Sequence, residues 1–135
     1  MVERFFTPKE ANQLLPDVKK IVEEILSKAN EGRQLLTTPD PHHRHREQLI
    51  DLELRIKVLM TQLEEMGCYY KDWSSYRTLT DVRNFEIGLV DFPAIIYGQQ
   101  ALLCWRSDEL QVEWFHGNDD GFAGRRKITR ELIFS

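Results

Sequence analysis

Two stretches of the chain carry apolar residues in steps of three and four, and this pattern constrains the fold more than any other feature. The first series is Ala11, Leu15, Val18, Val22, Ile25 and Ala29. The second is Leu49, Leu52, Ile56, Leu59, Leu63 and Met66. Such spacing places each series on one side of an α-helix, as in a coiled-coil seam. Two helices with matching seams and a short connection are predicted to pack as a long antiparallel hairpin.

The start of the first helix is marked by Thr7-Pro8-Lys9-Glu10. Thr7 and Glu10 can form a capping box, and Pro8 suits the first helical position. Pro16 lies inside the pattern and is expected to kink or loosen the helix, leaving residues 7–15 as a hinged lead-in.

The second helix is predicted to begin at Asp40, an N-cap followed by Pro41, and to end at Gly67 as a left-handed C-cap residue. Three histidines stand near its start: His42, His43 and His45. Neighbouring side chains on a helix point about 100° apart, so this spacing favours a solvated helix start over a metal site.

From residue 86 onward the pattern becomes strand-like, and an antiparallel β-meander of three to four strands is predicted over residues 86–116. Pro93 is expected to stop or bend the first strand, and Gly98-Gln99 to form a turn. The whole chain of 135 residues is thus predicted to be one α+β domain. Its segments are a helical hairpin (7–67), a loop (68–85) with a short strand at 68–71 or a helical turn near 78–84, the meander (86–116) and a Gly/Arg-rich C-terminal segment (117–135).

Polar residues at the ends of apolar strand faces are the main candidates for a site. Alternation puts Asp91 beside Leu89, and His116 beside Val112 and Trp114. One interpretation is a His–carboxylate dyad or a partial site for a divalent metal, with candidate ligands Asp91, Cys104, Glu113 and His116. The other is a buried hydrogen-bonded pair that fixes the rim of the sheet, which the absence of HxH or HxxE spacing favours.

A Gly- and Arg-rich segment follows the last predicted strand. Gly121 and Gly124 allow backbone amides to turn toward an anion, and the neighbouring Arg125-Arg126-Lys127 supplies positive charge. The order of a P-loop is absent. A structural turn held by ion pairs is the favoured alternative, and an Asp91–Arg125 pair is its most specific form.

Net charge, cysteine content and the length of apolar runs argue against several classes of protein. The net charge is −4, which opposes a nucleic-acid binder despite the basic cluster Arg125, Arg126, Lys127 and Arg130. The two cysteines, Cys68 and Cys104, form no disulfide framework. No run approaches the roughly 20 apolar residues that span a bilayer, and no signal peptide is recognisable, so a cytoplasmic protein without membrane contact is predicted.

Several segments resemble the bacterial family catalogued as domain of unknown function 2203. They are Arg4-Phe5-Phe6-Thr7, Glu10-Ala11-Asn12, Leu14-Leu15-Pro16, Gly88 to Ala94, Leu103-Cys104-Trp105-Arg106, Glu109, His116 and Gly121 to Arg125. The resemblance implies no activity. It singles out Asp91, Cys104, Trp105, Glu109, His116 and Arg125, and makes Asp91, Trp105, Glu109 and Arg125 candidates for ligand binding. Residues 73–86 depart from the family pattern as an insertion, and Lys127 replaces a proline.

Two functions remain open at this point. The doubled seam predicts a protein that forms homo-oligomers, a dimer or higher, and acts through interaction rather than catalysis. The alternative is a small enzyme or a metal- or ligand-binding module, with its site at Asp91, Cys104, His116 and Arg125.

Overall fold

The computed structural model of the chain describes residues 4–70, 87–120 and 124–129. Its elements are α1 (Pro8–Thr37), α2 (His45–Glu65), β1 (Tyr69–Tyr70), β2 (Leu89–Ile96), β3 (Gln99–Arg106), β4 (Trp114–Gly117) and β5 (Arg126–Lys127). The strands lie side by side in chain order and every neighbouring pair is antiparallel. The predicted α+β class is confirmed. The described residues form five strands rather than three to four, because the two-residue β1 and β5 extend the two edges.

The predicted seams form the interior of the hairpin. All six positions of the first series are buried, together with Gly32. In α2 the four central positions, Leu52, Ile56, Leu59 and Leu63, are buried, and the outer two, Leu49 and Met66, are partly buried. The seams therefore pack within one chain, and the same core continues into the sheet.

Both predicted ends of the hairpin are confirmed. Thr7 Oγ1 accepts from the Glu10 N–H at 3.1 Å, and Glu10 Oε1 accepts from the Thr7 N–H at 3.0 Å. Because the Thr7 backbone donates to it, the pKa of Glu10 is held below its usual range. At the far end Gly67 has φ +96°. Its N–H donates to Glu64, and that of Cys68 to Leu63, which completes a Schellman cap.

The predicted start of the second helix at Asp40-Pro41 is wrong, because α2 begins at His45. The Asp40 carboxylate accepts from the N–H groups of Arg44 and His45, at 2.8 and 2.9 Å. A turn from Asp40 to His43 therefore intervenes, with His43 at φ 54°. Desolvation opposes ionisation of Asp40, but the hydrogen bonds from His45 and Arg44 outweigh it and lower the pKa of this carboxyl.

Pro16 does not create the expected hinged lead-in, since α1 runs through it without a break. The preceding turns are fixed by Asn12, whose Oδ1 accepts from the Val112 N–H at 2.7 Å and whose Nδ2 donates to the Val112 carbonyl at 3.2 Å. The same contact delays the last strand of the predicted meander. The backbone N–H and carbonyl of Val112 form hydrogen bonds with Asn12 of α1 instead of with a neighbouring strand, and β4 begins only at Trp114.

The predicted break at Pro93 is also wrong, because β2 runs from Leu89 to Ile96. Proline cannot donate to a ladder and is tolerated where its backbone faces an open edge. The two-residue β1 pairs with Asp91 and Val90 and does not extend to Pro93, whose carbonyl instead accepts from the Phe6 N–H at 2.7 Å. The turn that follows β2 consists of Tyr97 and Gly98, both at positive φ, instead of Gly98-Gln99.

The sheet lies directly on α1. A Cβ on Gly88 would stand 2.7 Å from Val22 Cγ1 and 2.9 Å from the Tyr70 hydroxyl, so this position has no room for a side chain. Val90, Phe92, Leu103 and Trp105 belong to the same core as the helix seams.

Some predictions fall outside the described residues. They are the helical turn near 78–84, most of the loop 68–85, the insertion 73–86, the Gly121 part of the anion-binding turn, and Arg130. The predicted loop does contain β1, and the C-terminal segment contains β5. Among the helices that the structure describes, none is long and apolar enough to cross a membrane.

Candidate metal centre

Three potential metal ligands lie on neighbouring strands of the central sheet. Asp91 of β2 is directly opposite Cys104 of β3, and His116 of β4 pairs with Leu102, two residues from Cys104 along β3. Residues two apart share a face of a strand, so all three side chains project from the same face. This face is opposite to the one that packs on the helices, since the intervening Phe92, Leu103 and Phe115 belong to the core.

The three ligand atoms are close together and shielded from solvent. One atom each from Asp91, Cys104 and His116 lies within 4.8 Å of the other two. Asp91 is 5% exposed, and both other residues are fully buried. Within residues 4–70, 87–120 and 124–129, this is the group of three or more His, Cys, Asp and Glu side chains that could hold a metal ion.

The hydrogen bonds of His116 define which ring nitrogen faces the cluster. Nδ1 lies 2.8 Å from the Gly117 carbonyl oxygen. A carbonyl can only accept, so Nδ1 carries the hydrogen. Nε2 lies 3.3 Å from Asp91 Oδ1 and is therefore the nitrogen whose lone pair can take a proton or a metal ion.

The other predicted ligands are placed differently. Glu113 does not join the cluster; it lies ahead of β4, where its carbonyl accepts from the Ile128 N–H at 2.7 Å. Trp105 is buried on the helix side of the sheet, and its Nε1 donates to the Glu109 carbonyl at 2.9 Å. Of the four predicted ligand-binding residues, Trp105 thus lies on the opposite face from Asp91.

Glu109 and Arg125 form a largely buried ion pair beside the cluster. Arg125 Nη1 and Nη2 donate to the two carboxylate oxygens of Glu109, at 2.9 and 2.8 Å. Arg125 Nη2 also donates to the Cys104 carbonyl at 3.1 Å, and the guanidinium lies 4.8 Å from the Trp114 ring centroid. The predicted Asp91–Arg125 ion pair is wrong: among the described contacts Arg125 pairs with Glu109, and Asp91 with His116.

Other charged groups singled out in the sequence are engaged locally. His45 Nδ1 lies 3.9 Å from Asp40 Oδ2. Asp120 accepts from the Gly117 N–H at 3.1 Å and so closes the turn after β4. Arg126 stacks on Phe115, with 5.2 Å between its guanidinium carbon and the ring centroid. These contacts give each side chain a structural role.

Two groups that position the strands of the cluster were not among the candidates in the sequence. The Gly117 carbonyl orients His116, and a backbone carbonyl leaves no signal in a sequence. Asn12 fixes the segment before β4 through its side chain. The sequence did contain a signal for it: Asn12 is a polar residue four positions before Pro16, and because proline has no N–H, the Asn12 carbonyl lacks its usual donor within the helix.

Comparison with known proteins agrees with the resemblance noted in the sequence. Residues 4–128 match the family model described as "Uncharacterized conserved protein (DUF2203)". The match includes all three residues of the cluster, and Glu109 and Arg125 as well. No curated protein and no solved structure matches the chain.

Proposed function

The chain belongs to the DUF2203 family, and we propose that it binds one divalent metal ion of the zinc class through Asp91, Cys104 and His116. The donor set is one imidazole nitrogen, one thiolate sulfur and one carboxylate oxygen. Zinc accepts all three, whereas magnesium and calcium favour oxygen ligands alone.

The orientation of His116 is the observation that carries the proposal. A ligating histidine usually donates its other ring N–H to a carbonyl or carboxylate, which fixes the tautomer and aims the lone pair at the metal. His116 has this arrangement, with Nδ1 on the Gly117 carbonyl and Nε2 toward Asp91. Burial adds to the argument, because buried charged groups are normally paired or coordinate a metal.

The dimensions of the cluster suit an ion of this size. Zinc–ligand distances of about 2.0–2.1 Å to nitrogen or oxygen and about 2.3 Å to sulfur, at a tetrahedral angle, separate the ligand atoms by about 3.3–3.6 Å. The Asp91–His116 pair is at 3.3 Å, and no pair in the group exceeds 4.8 Å. Contraction by about 1 Å through side-chain rotation would complete the coordination. Three protein ligands leave a fourth position for water or a small ligand, as in catalytic zinc sites.

The competing interpretation is a buried dyad in which Asp91 and His116 share a proton. It does not require the Cys104 thiol as a ligand and predicts that the purified protein carries no stoichiometric metal. The two interpretations therefore differ in what replacement of the thiol does.

Elemental analysis of protein purified without an affinity tag tests the proposal. We expect about one zinc per chain in the natural protein and a loss of most of it in Cys104→Ala. Cys68→Ala is the matched control, because Cys68 is the other buried cysteine but bonds to the Leu63 carbonyl at the end of α2. A triple variant of His42, His43 and His45 to Ala removes the histidines near the start of α2 and should keep the metal. Equal zinc in natural protein and Cys104→Ala, or loss of zinc in the triple variant alone, would overturn the assignment.

A further inference from the structure

The outer face of α2 carries a row of apolar side chains. Ile50, Leu54 and Val58 follow one another at intervals of four residues and are 49%, 56% and 58% exposed. They lie opposite the buried seam of the same helix. Because three aligned apolar side chains at the centre of a solvent-facing helix surface are unusual, this row marks a contact surface.

This surface differs from the seam on which the sequence-based expectation of self-association rested. Val22 and Leu59, the seam positions at the middle of the hairpin, are 1% and 8% exposed. The seam is occupied within one chain and is closed to a second one. Helix-mediated association would therefore use an outer face, and α2 carries Ile50, Leu54 and Val58 there, whereas Leu36 is the exposed large apolar side chain on the described α1.

Charged residues flank the row on both sides in a regular order. On one flank Asp51 pairs with Arg55 at 3.0 Å, and on the other Glu53 pairs with Lys57 at 3.3 Å. Each flank thus has its acid toward the N-terminus of α2 and its base one turn later. All four side chains reach solvent.

We propose that the outer face of α2 binds the same face of a second copy of the chain, with the two helices antiparallel about a two-fold axis at Leu54. Leu54 then packs on the partner's Leu54, and Ile50 on the partner's Val58. A two-fold axis perpendicular to both helices brings each flank against the same flank of the partner, in reversed order. Asp51 then lies near the partner's Arg55, and Glu53 near the partner's Lys57. Each flank has two such attractive contacts and one like-charge contact, between the two copies of Arg55 or the two copies of Glu53.

The order of charges selects this orientation over the parallel one. In a parallel pair the opposite flanks meet, which places Asp51 beside the partner's Glu53 and Arg55 beside the partner's Lys57. Each side of the apolar row would then have two like-charge contacts and one attractive contact, between Arg55 and the partner's Glu53. Charge patterns of this kind set the register and orientation of paired helices.

The association is independent of the metal centre, which lies on the sheet. Sedimentation velocity over a concentration series, with metal and with chelator, should show a monomer–dimer equilibrium in the natural protein. Leu54→Glu should weaken the dimer by roughly a hundredfold or more, because two carboxylates would meet at the axis. Leu110→Glu is the matched control, since Leu110 is an apolar residue 86% exposed elsewhere on the surface.

Cross-linking determines the orientation. Because both native cysteines are buried, single variants Ile50→Cys and Val58→Cys introduce one accessible thiol each. In an equimolar mixture we expect the mixed disulfide between the two variants to dominate over either homodisulfide. A dominant Ile50→Cys homodisulfide would overturn the antiparallel arrangement. A natural protein that stays monomeric at the highest soluble concentration, or a dimer that Leu54→Glu leaves intact, would overturn the surface itself.

Discussion

His116 Nε2 lies 3.3 Å from Asp91 Oδ1, a contact that joins β4 to β2 across the intervening strand β3. The strand between them contributes Cys104 to the same face. Because the Gly117 carbonyl accepts from His116 Nδ1, the nitrogen at this contact is the one with a lone pair. A proton or a metal ion at this point would hold three strands together, which links ion binding to the stability of the sheet.

Replacement of Asp91 by Asn should separate metal binding from folding. The amide fills the same space and can donate Nδ2–H to the lone pair of His116 Nε2, so the metal-free variant should be at least as stable as the metal-free natural protein. The stabilisation by zinc should be lost. At a thousandfold excess over Kd zinc adds about 4 kcal/mol to the free energy of unfolding of the natural protein, or roughly 15 °C in Tm. Thermal unfolding with zinc and with chelator measures both effects, and an unchanged zinc response in Asp91→Asn would contradict the ligand assignment.

Glu109→Gln should destabilise the protein by about 2–3 kcal/mol, because it leaves the Arg125 guanidinium largely buried without its bidentate carboxylate. The side chains of this pair are only 12% and 21% exposed. Asp108→Asn is the control: it removes an acid of the same turn whose pair with Arg106 is 37% and 52% exposed, and should cost less than about 1 kcal/mol. Urea unfolding of both variants measures the two losses of unfolding free energy. Equal losses would show that the buried ion pair stabilises the protein no more than the exposed one.

Gly88→Ala should cost about 1–3 kcal/mol through overpacking. The added methyl would stand 2.7 Å from Val22 Cγ1 and 2.9 Å from the Tyr70 hydroxyl. Val22→Ala removes the closer neighbour, so the double variant should lose less stability than the sum of the two single ones. Chemical unfolding of the natural protein, the two single variants and the double variant completes this double-mutant cycle. Additive losses of stability would show that the added methyl group does not clash with Val22.

Stability should fall above pH 9 because of Cys68. Burial raises the pKa of this thiol from its ordinary 9.0 to about 12. Between these two values the unfolded chain has lost a proton that the folded chain retains, so the free energy of unfolding decreases as pH rises. The loss due to this group is about 1.4 kcal/mol at pH 10. Urea unfolding at pH 8 and pH 10 should show it in the natural protein and a smaller loss in Cys68→Ala; identical losses would assign the effect to other groups.

The helical half could be predicted from the sequence because its determinants are local. Spacing alone identified the buried positions from Ala11 to Ala29 in α1 and from Leu52 to Leu63 in α2, and the Thr7 and Gly67 caps depend on neighbours in the chain. The start of β4 depends instead on Asn12, about a hundred residues away, whose side chain takes both backbone groups of Val112. Such a contact follows only from the packed fold.

The convergence of Asp91 and Cys104 depends on the position of the turn between β2 and β3, which was predicted one residue too late. The turn at Tyr97-Gly98 pairs Ile96 with Gln99, and this register brings Asp91 opposite Cys104. A turn at Gly98-Gln99 would have shifted the pairing by two residues and placed Asp91 opposite Arg106. The residue types were therefore recognised as candidates, while their convergence required the register.

The most direct test of the central claim is the absorption spectrum of the protein loaded with one equivalent of cobalt(II) in place of zinc. Thiolate ligation produces a sulfur-to-cobalt charge-transfer band in the near ultraviolet, and tetrahedral geometry produces intense visible bands. We predict both in the natural protein and in Cys68→Ala, and loss of the charge-transfer band in Cys104→Ala. A spectrum of six-coordinate cobalt without sulfur ligation, or one that Cys104→Ala leaves unchanged, would contradict the account.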